Sequence, residues 1–422
     1  MPDHGTLEIM AANLVPAGLS VAEIAQCPQV RQALQWFTRE KQWINEVHLE
    51  LCRIPAPTFL EQQRAEWMAA QFRGFGCRSQ IDRAGNVIAF LNEAARPPFA
   101  AITAHLDTVL APRSKDEITI GRDSRFHGPG VSDNGAGLAA LLAIARAMKV
   151  SGEIGNAQAS PVFICNVGEE GEGNLTGMRW LCKQSDLARD IAAFLVIDGA
   201  TLERITTRAL GSRRFEVTFS GPGGHSWSDY GIGNPVHALS RAIAAFSETR
   251  LNGTPRSSFN VGLIDGGTSI NSIPALARAK VDIRSESNDK IEELVLLLRN
   301  AVERAQEREN QRATGGKVAA KMKEIGERPA GQLAEDSPIL SHVRAVDAHL
   351  GIRSRMDCAS TDANIPLSLG MPAISIGTGG QGGGAHTLQE WYNPEGRDLG
   401  LKRIFLIVNL LLRDPQIRLR AA

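Results

Sequence analysis

Short apolar runs alternate with stretches of helical pattern over much of this chain, and this alternation decides its fold class. The runs end in polar residues or turn residues, as buried strands do, and the stretches between them repeat apolar residues at helical spacing. The predicted strands are "GNVIAFL", "PFAAITAHLD", "SPVFICNVG" and "AAFLVIDGA", and two of the predicted helices are "AGLAALLAIARAMK" and "TGMRWLCKQS". The pattern predicts an α/β fold in which helices cover both faces of one sheet.

The pattern changes at about residue 208, where "RRFEVTFSG" alternates Phe215, Val217 and Phe219 with polar neighbours. Such alternation indicates a strand with one wet face. Two helices and further strands follow before the α/β pattern returns after "GERPAG", so we predict an inserted α+β domain. The predicted division is 1–207 for the first part of the catalytic domain, with 1–46 as an N-terminal helical extension, 208–327 for the insertion, and 328–422 for the second part. One helix of the insertion carries His237 on its apolar face, and we expect this histidine in the core.

Charge and cysteine usage exclude several classes of protein. The 422 residues carry 46 basic and 46 acidic side chains, so nothing in the net charge favours nucleic acid or an anionic membrane as a partner. The first residues, "MPDHGTLEIMAANLVPAG", lack the pattern of a secretory signal, and no apolar run is long enough to span a bilayer. The six cysteines form no CxxC pair, and reduced, buried thiols are expected. We therefore expect a cytoplasmic enzyme.

Acidic residues and histidines gather where the predicted strands end. In an open α/β sheet, ligands bind outside the carboxyl ends of the strands, so these side chains can converge. Imidazole and carboxylate together suit zinc, with cobalt or manganese as alternatives. Their number exceeds what one catalytic ion needs, which favours two metals bridged by a carboxylate. The residues are His105, Asp107, Asp133, Glu169, Glu170, Asp198 and His386.

Each of these residues alone has a simpler structural interpretation. His105 and Asp107 would form a satisfied core pair, Asp133 would cap the helix that follows it, and Asp198 would be a turn residue. The Glu169–Glu170 pair would be a surface turn. Five such placements in one chain, all near apolar strands and several flanked by glycine, favour a common site instead.

From about residue 47 to the C-terminus, the chain resembles the dimetal (zinc) exopeptidases and amidohydrolases. This family includes tripeptide aminopeptidases, glutamate carboxypeptidases, aminoacylases and succinyl-diaminopimelate desuccinylase. The order and spacing of the matching motifs make the resemblance specific. The motifs are "IPAPTFLEQQRA", "HLDTV", "GPGVSDNGAG", "GEEGEGN", "VIDGA", "GPGGHSW", "INSIPALARAKVDIRS", "STDANI" and "GGGAHTLQEWY".

The resemblance implies a mixed sheet of the zinc-exopeptidase type and a role for each strand-end residue. One metal would be held by His105, Asp133 and Asp198. The other would be held by Asp133, Glu170 and His386, so that Asp133 bridges the two. Asp107 would orient His105, and Glu169 would be the general base that acts on the water between the metals.

The resemblance also assigns residues of the inserted domain, which it identifies as a lid and dimerisation domain. His225 and Asn271 would polarise the scissile carbonyl, and Arg284 would bind a substrate carboxylate through its planar guanidinium. The resemblance implies a homodimer, which leaves two arrangements open: His225 would reach the partner's metal site, or it would act within its own chain when that chain closes. From the residues alone, His225 would cap a nearby backbone group and Arg284 would form a surface ion pair.

Two departures from the family pattern are visible. Many relatives carry an acid before the bridging aspartate and a lysine after it, where this chain has Ser132 and Asn134. These changes alter the local charge without removing a ligand. The stretch "CASTDANI" also differs from the commoner glycine-rich version, which bears on substrate contacts.

We therefore expect a hydrolase of C–N amide bonds with two divalent metal ions, acting on short peptides as an amino- or carboxypeptidase. An N-acyl-amino-acid deacylase or desuccinylase needs the same machinery and remains an alternative. A catalytically inactive relative that binds only metal or peptide is an alternative of another class. The presence of Glu169 together with all five ligands argues against it.

Overall fold

A computed structural model describes residues 20–152, 157–251 and 253–416 of the chain. Residues 1–19 of the predicted N-terminal extension lie outside the described residues. The α-helices of the described residues are Val21–Gln26 (α1), Pro28–Arg39 (α2), Lys41–Cys52 (α3), Gln62–Gly74 (α4), Gly135–Ser151 (α5), Thr176–Lys183 (α6), Pro235–Ser247 (α7), Asn288–Arg312 (α8), Pro338–Leu350 (α9), Asn364–Ser368 (α10) and Arg397–Arg413 (α11).

The strands of the described residues fall into one nine-stranded sheet, a four-stranded sheet of long strands in the predicted insertion, a second four-stranded sheet of short strands, and a two-stranded ribbon. In chain order they are Arg78–Ile81 (β1), Val87–Phe90 (β2), Phe99–His105 (β3), Thr119–Ile120 (β4), Phe126–His127 (β5), Ser160–Asn166 (β6), Ile191–Ile197 (β7), Arg204–Ala209 (β8), Gly211–Ser220 (β9), Gly224–His225 (β10), Ser257–Gly266 (β11), Ser272–Ile273 (β12), Leu276–Ser285 (β13), Ala319–Arg328 (β14), Gly331–Gln332 (β15), Arg355–Ala359 (β16), Ala373–Ile376 (β17), Gln381–Gly383 (β18) and Trp391–Asn393 (β19).

The large sheet is mixed, as predicted, and has the order β1-β2-β6-β3-β7-β17-β8-β15, with β16 also paired to β8. Four adjacent strands in the middle of this sheet run parallel to one another: β6, β3, β7 and β17. Their carboxyl ends therefore meet at one edge of the sheet. All seven residues of β3 are buried. Because side chains alternate between the two faces of a strand, both faces of the sheet are covered there.

Helix α5 lies in the middle of the helical layer on this sheet. It contacts β3 and β6 as well as α2, α3 and α11, and almost all of its residues are buried. Its sequence, "GAGLAALLAIARAMKVS", supplies small residues that let these neighbours approach closely. Helix α2 of the N-terminal region adds Val30, Trp36 and Phe37 to the same core.

The four-stranded sheet of the insertion, in the order β11-β13-β9-β14, has one face covered by α7 and α8. The predicted apolar residues Phe215, Val217 and Phe219 are buried in this second core. We call the sheet and these two helices the lid. The expectation for His237 is wrong: its side chain is exposed, because α7 turns Ala238, Leu239 and their apolar neighbours inward instead.

The chain passes from the large sheet to the lid at Leu210, between β8 and β9. It returns at residues 329–330, between β14 and β15. The domain boundaries at 208 and 327 stay a prediction. All six cysteines are free, and no described helix is both long and apolar enough to cross a membrane.

Candidate metal centre

The five predicted metal ligands, together with Glu169, line one cavity of about 400 Å³ at the carboxyl ends of the parallel strands. His105 is the last residue of β3, Asp198 directly follows β7, and Glu170 lies in the turn after β6. Three elements of the sheet therefore deliver side chains to the same edge. Asp133 comes from the turn before α5, and His386 from the loop between β18 and β19.

Asp133 lies between the two histidines. Its Oδ1 is 3.1 Å from Nε2 of His105, and its Oδ2 is 3.1 Å from Nε2 of His386. The same His386 nitrogen is 2.9 Å from Oε1 of Glu170. Potential ligand atoms of His105, Asp133 and Asp198 lie within 4.8 Å of one another, as do those of Asp133, Glu170 and His386. The two groups share Asp133, each of whose oxygens faces a different imidazole.

The carboxylate of Asp133 is available because its neighbour caps the helix. Asn134, not Asp133, is the N-cap of α5, and its Oδ1 accepts the N–H of Gly137 at 3.1 Å. Nδ2 of Asn134 also donates to the main-chain oxygen of Ile197 at 2.9 Å, next to Asp198. The asparagine that departs from the family pattern therefore ties the Asp133 turn to the end of β7.

Glu390 fixes the same turn from the opposite side. Its buried carboxylate accepts the backbone N–H groups of Gly130, Ser132 and Asp133, each at 2.8 Å. Glu390 follows His386 by four residues, so it connects the loops that carry two proposed ligands. His386 itself has a φ of 65°, in a region that non-glycine residues seldom adopt.

Asp107 holds both His105 and the glutamate pair. Nδ1 of His105 donates to the main-chain oxygen of Asp107 at 3.0 Å, which leaves Nε2 as the ligand atom. The fully buried carboxylate accepts the backbone N–H groups of Glu169 and Glu170 and the hydroxyl of Thr58, each at 2.9 Å. Asp107 therefore fixes the direction in which each member of the pair points.

The two glutamates have different partners. Oε1 of Glu170 faces His386, whereas Oε1 of Glu169 accepts Nη1 of Arg328 at 2.9 Å. Arg328 also donates to the main-chain oxygen of Glu169 and, at 3.0 Å, to Oγ of Ser360. Both partners of the Glu169–Arg328 ion pair are buried. One carboxylate is thus directed at the histidine cluster and the other at an arginine.

The electrostatics of the cavity fit divalent cations. Burial, and then the charge of Asp133, raise the pKa of Asp198 to about 8. Burial and the neighbouring Glu169 raise the pKa of Glu170 to about 8. The hydrogen bond to Asp133 raises the pKa of His386 to about 9. Buried carboxylates crowded in this way need positive charge, and the set of imidazole and carboxylate ligands is the one that suits zinc and related ions.

Arg284 lines the same cavity, and it also forms the ion pair expected from its surroundings, through Nε to Asp282 at 2.7 Å. His225 and Asn271 do not line the cavity of this single chain. His225 ends β10 and Asn271 directly precedes β12 of the same two-stranded ribbon, where Ser226 N–H donates to the main-chain oxygen of Asn271 at 3.0 Å. His225 is exposed, and its Nδ1 accepts the N–H groups of Trp227 and Ser228. The backbone contact expected for His225 is therefore present, and it leaves the ring proton on Nε2.

Sequence reasoning missed Arg328, Glu390 and Thr58. Arg328 lies in "GERPAG", which has the composition of a linker, and its partner Glu169 is 159 residues away. Glu390 belongs to the motif "HTLQEWY", in which only the histidine is a predicted site residue. An arginine next to a proline at the point where the chain leaves an inserted domain is the one available signal for Arg328.

Two family models match the chain. The model of the peptidase dimerisation domain matches residues 208–310, and the model of peptidase family M28 matches residues 86–220. The first covers most of the lid, and the second covers β2 to β9 with four of the five proposed ligands.

The chain is also similar to individual proteins over most of its length. It is 23% identical over 356 residues to the uncharacterised protein YqjE of Bacillus subtilis, covering 81% of this chain and 91% of that protein. The structure of a tripeptidase from Staphylococcus aureus superposes with a TM-score of 0.73 at 19% identity, covering 89% of this chain and all but 1% of that one. A dinuclear metal-binding peptidase of the M20 family from Bacillus subtilis gives 0.65 at 15% identity, covering 89% and 99%.

These solved structures share the fold of the chain, and the family models assign peptidase domains to it. Together they confirm the resemblance to the dimetal exopeptidases and amidohydrolases. They support a metal-dependent peptidase or amidohydrolase.

Proposed function

We propose that this protein is a two-metal hydrolase that cleaves a terminal C–N amide bond in short peptides. The observation that carries the proposal is the placement of Asp133, whose two oxygens face the imidazoles of His105 and His386. His105, Asp133 and Asp198 would hold one divalent cation. Asp133, Glu170 and His386 would hold the other.

The ligand set fits zinc, and cobalt or manganese would use the same side chains. When bound, the two ions polarise the scissile carbonyl and lower the pKa of the attacking water. The positive charge of the ions would stabilise the ionised form of the buried carboxylates in the cavity, which burial alone would protonate.

The remaining steps belong to the chain's own residues. Glu169 accepts a proton from the attacking water and returns it to the leaving amine. Its orientation is fixed from two sides, by Arg328 at the carboxylate and by Asp107 at the backbone N–H. Arg284 binds a carboxylate of the substrate with the two terminal nitrogens that its pair with Asp282 does not use.

The lid supplies the oxyanion donor in trans. The proton on Nε2 makes His225 a hydrogen-bond donor, which a group that stabilises an oxyanion must be. Since His225 and Asn271 do not line the cavity of their own chain, we propose a homodimer in which they complete the partner's site.

Mixing two inactive variants tests this arrangement. Glu169→Gln keeps His225, and His225→Ala keeps Glu169, so a hybrid dimer holds one complete site only if His225 acts in trans. Activity regained on co-expression supports the dimer. Hybrids that form and stay inactive would place His225 in its own chain's site.

Substrate class is tested with di- and tripeptides with free or blocked termini, beside N-acetyl and N-succinyl amino acids, assayed with added zinc, cobalt or manganese. Cleavage of free peptides from one end supports the exopeptidase. Cleavage of acyl amino acids alone would assign a deacylase instead. No cleavage of any amide by the metal-loaded protein would leave a protein that only binds metal or peptide.

We also propose a cytoplasmic location, for which the six free cysteines are the support, because reducing compartments keep thiols unpaired. The division into a catalytic domain and an inserted lid at 208–327 is part of the same proposal. It is supported by the separate hydrophobic core of the lid.

A further inference from the structure

A second cavity, of about 410 Å³, adjoins the metal cavity. Arg284 lines both, so its side chain lies in the wall that the two cavities share. The second cavity lies where β8 and β16 of the large sheet meet the first residues of β11 and the last residues of β13. We call it the arginine pocket, after Arg208, Arg256 and Arg284 in its wall.

The acids in the arginine pocket already have partners. Glu286 faces Nη1 of Arg208 at 3.4 Å, and Asp357 faces Nη1 of Arg204 at 3.5 Å. Arg256, in contrast, donates no side-chain hydrogen bond and forms no ion pair with any residue that the structure describes. Its guanidinium is therefore the positive group of the pocket that lacks a protein counter-charge.

Strand register puts Arg256 on the same side of the lid sheet as Arg284. Ser258 pairs with Arg284 in the β11–β13 ladder, and the N–H of Glu286 donates to the main-chain oxygen of Arg256, which continues the ladder by two residues. Residues two apart in a strand share a face. The spacing of residues and strands places the Cα atoms of the two arginines about 8 Å apart. Two guanidinium groups with free N–H donors thus extend from neighbouring strands into adjacent cavities.

We propose that the arginine pocket binds a second carboxylate of the substrate, so that the preferred substrates carry Asp or Glu on the amine side of the scissile bond. Arg284 takes one carboxylate, near the metal cavity, and Arg256 takes the other. The preferred ligands are therefore dicarboxylates: peptides that end in Asp or Glu, or N-acyl derivatives of these amino acids. This inference rests on the proposed function, because it names the substrate class of that same site.

The chemistry of the pocket favours a carboxylate over other side-chain groups. A guanidinium without a counter-ion offers two parallel donors to a carboxylate, and such charge-assisted pairs are stronger than neutral hydrogen bonds. An amide has the same shape but no charge. A lysine side chain would meet Arg256 with like charge, while the acids it could pair with are already engaged by arginines.

The test compares hydrolysis of Ala-Glu, Ala-Gln and Ala-Lys by the metal-loaded full-length protein and two variants. Wild type should prefer Ala-Glu over Ala-Gln by about 10- to 100-fold in kcat/KM, the range expected for hydrogen bonds to a charged group. Arg256→Gln should remove this preference mainly through KM for Ala-Glu and leave Ala-Gln within about twofold. Arg250→Gln is the matched control, because Arg250 is an exposed lid arginine that lines neither cavity, and it should keep the preference.

A second variant reverses the charge at the position of Arg256. Arg256→Glu puts a carboxylate where the second carboxylate of the substrate would bind, and it should reduce cleavage of Ala-Glu further than Arg256→Gln does while leaving Ala-Gln within about twofold. Equal rates for Ala-Glu and Ala-Gln in wild type would overturn the inference while leaving the proposed function intact. So would a preference for Ala-Lys, or an Arg256→Gln variant that loses both substrates equally.

Binding of glutarate by calorimetry separates the inference from the proposed function. Wild type should bind glutarate about tenfold or more tightly than Arg256→Gln does. If the protein hydrolyses no amide but shows this difference, the arginine pocket stands and the proposed function fails. If glutarate binds both proteins equally, the pocket is not a carboxylate site.

Discussion

Glu169→Gln is the substitution that most directly tests the division of roles in the glutamate pair. Glutamine preserves size, and its amide oxygen can still accept Nη1 of Arg328, while the main-chain oxygen keeps its own bond from the same arginine. Asp107 continues to hold the backbone N–H. The change therefore removes the proton acceptor and leaves the surrounding contacts in place.

The expected loss follows from the burial of Glu169, which is 5% exposed. A positioned general base contributes about 10²- to 10⁴-fold to a rate, or about 3–5 kcal/mol of barrier. Because bulk water has little access to this carboxylate, it cannot readily replace the base, and we expect a fall in kcat near the upper end of that range.

The assay combines steady-state kinetics with metal analysis of the purified variant. Glu169 also lies within 4.8 Å of ligand atoms of His105 and Glu170, so the geometry offers it as a ligand as well. We expect two metal equivalents in Glu169→Gln and a normal far-ultraviolet circular dichroism spectrum. The control is Glu172→Gln in the same turn, where the exposed side chain lies outside the metal cavity and kcat should stay within about twofold of wild type.

Loss of one metal equivalent from Glu169→Gln would refute the reasoning, because it would make Glu169 a ligand. The roles within the pair would then be reversed. Two bound metals with full activity would also refute it, since no proton acceptor would have been removed.

Three further predictions concern the metals, Arg328 and the lid. Removal of the metals by a chelator should abolish activity and leave the circular dichroism spectrum unchanged, because the proposed ligands lie at strand ends of a sheet with its own core. Global unfolding on chelation would show that the metal site is structural. Arg328→Gln should lower kcat by about 10- to 100-fold with a smaller change in KM, because Arg328 positions Glu169. Arg328→Lys should have a similarly low kcat, because an ammonium lacks the planar fork of a guanidinium. An equal change in KM would indicate that Arg328 contacts the substrate instead. Burial acts to raise the pKa of Glu309, but hydrogen bonds led by that from Arg312 outweigh it and lower the pKa to about 2. Its contribution to stability is therefore complete above its ordinary pKa of 4.5 and is lost as the pH falls towards 2. Glu309→Gln should cost about 2 kcal/mol of unfolding free energy at pH 7, after allowance for screening of Arg241 and Arg312, which are each 37% exposed. In urea denaturation the cost should shrink between pH 5 and pH 3, and a cost independent of pH would contradict the assignment.

The sequence was most informative where the chemistry lies at the end of an apolar run. His105 and Asp198 end or directly follow fully or largely buried strands, and strand direction alone brings such ends together. An α/β sheet covered on both faces could be predicted from the alternation of strands and helices, whereas its mixed strand directions were implied by the family resemblance. These are local patterns, and each can be recognised within about ten residues.

Contacts that depend on distant parts of the chain could not be predicted. The turn before α5 is held by Glu390, which is 257 residues from Asp133. Nothing near Asp133 distinguishes a cap from a ligand until Asn134 is seen to cap the helix. Likewise, Asp107 was expected to orient His105, and its bonds to the backbone of the glutamate pair depend on how β3 and β6 lie side by side.

The lid sheet gives these long-range contacts a common frame. Ser258, Arg284, Ser212 and Arg328 pair directly across its four strands, so they form one row on one face. Two strand spacings separate Arg284 from Arg328, or about 9.5 Å between their Cα atoms. One of these arginines is proposed to bind the substrate carboxylate, and the other holds the proposed base. Glu169 lies in the turn after β6 and is held by Asp107 at its backbone as well as by Arg328, so the distance from carboxylate to base is set where the lid contacts the large sheet. We therefore expect the enzyme to accept substrates with one fixed length between the carboxylate and the scissile bond. An enzyme that cleaves at a chain end behaves in this way.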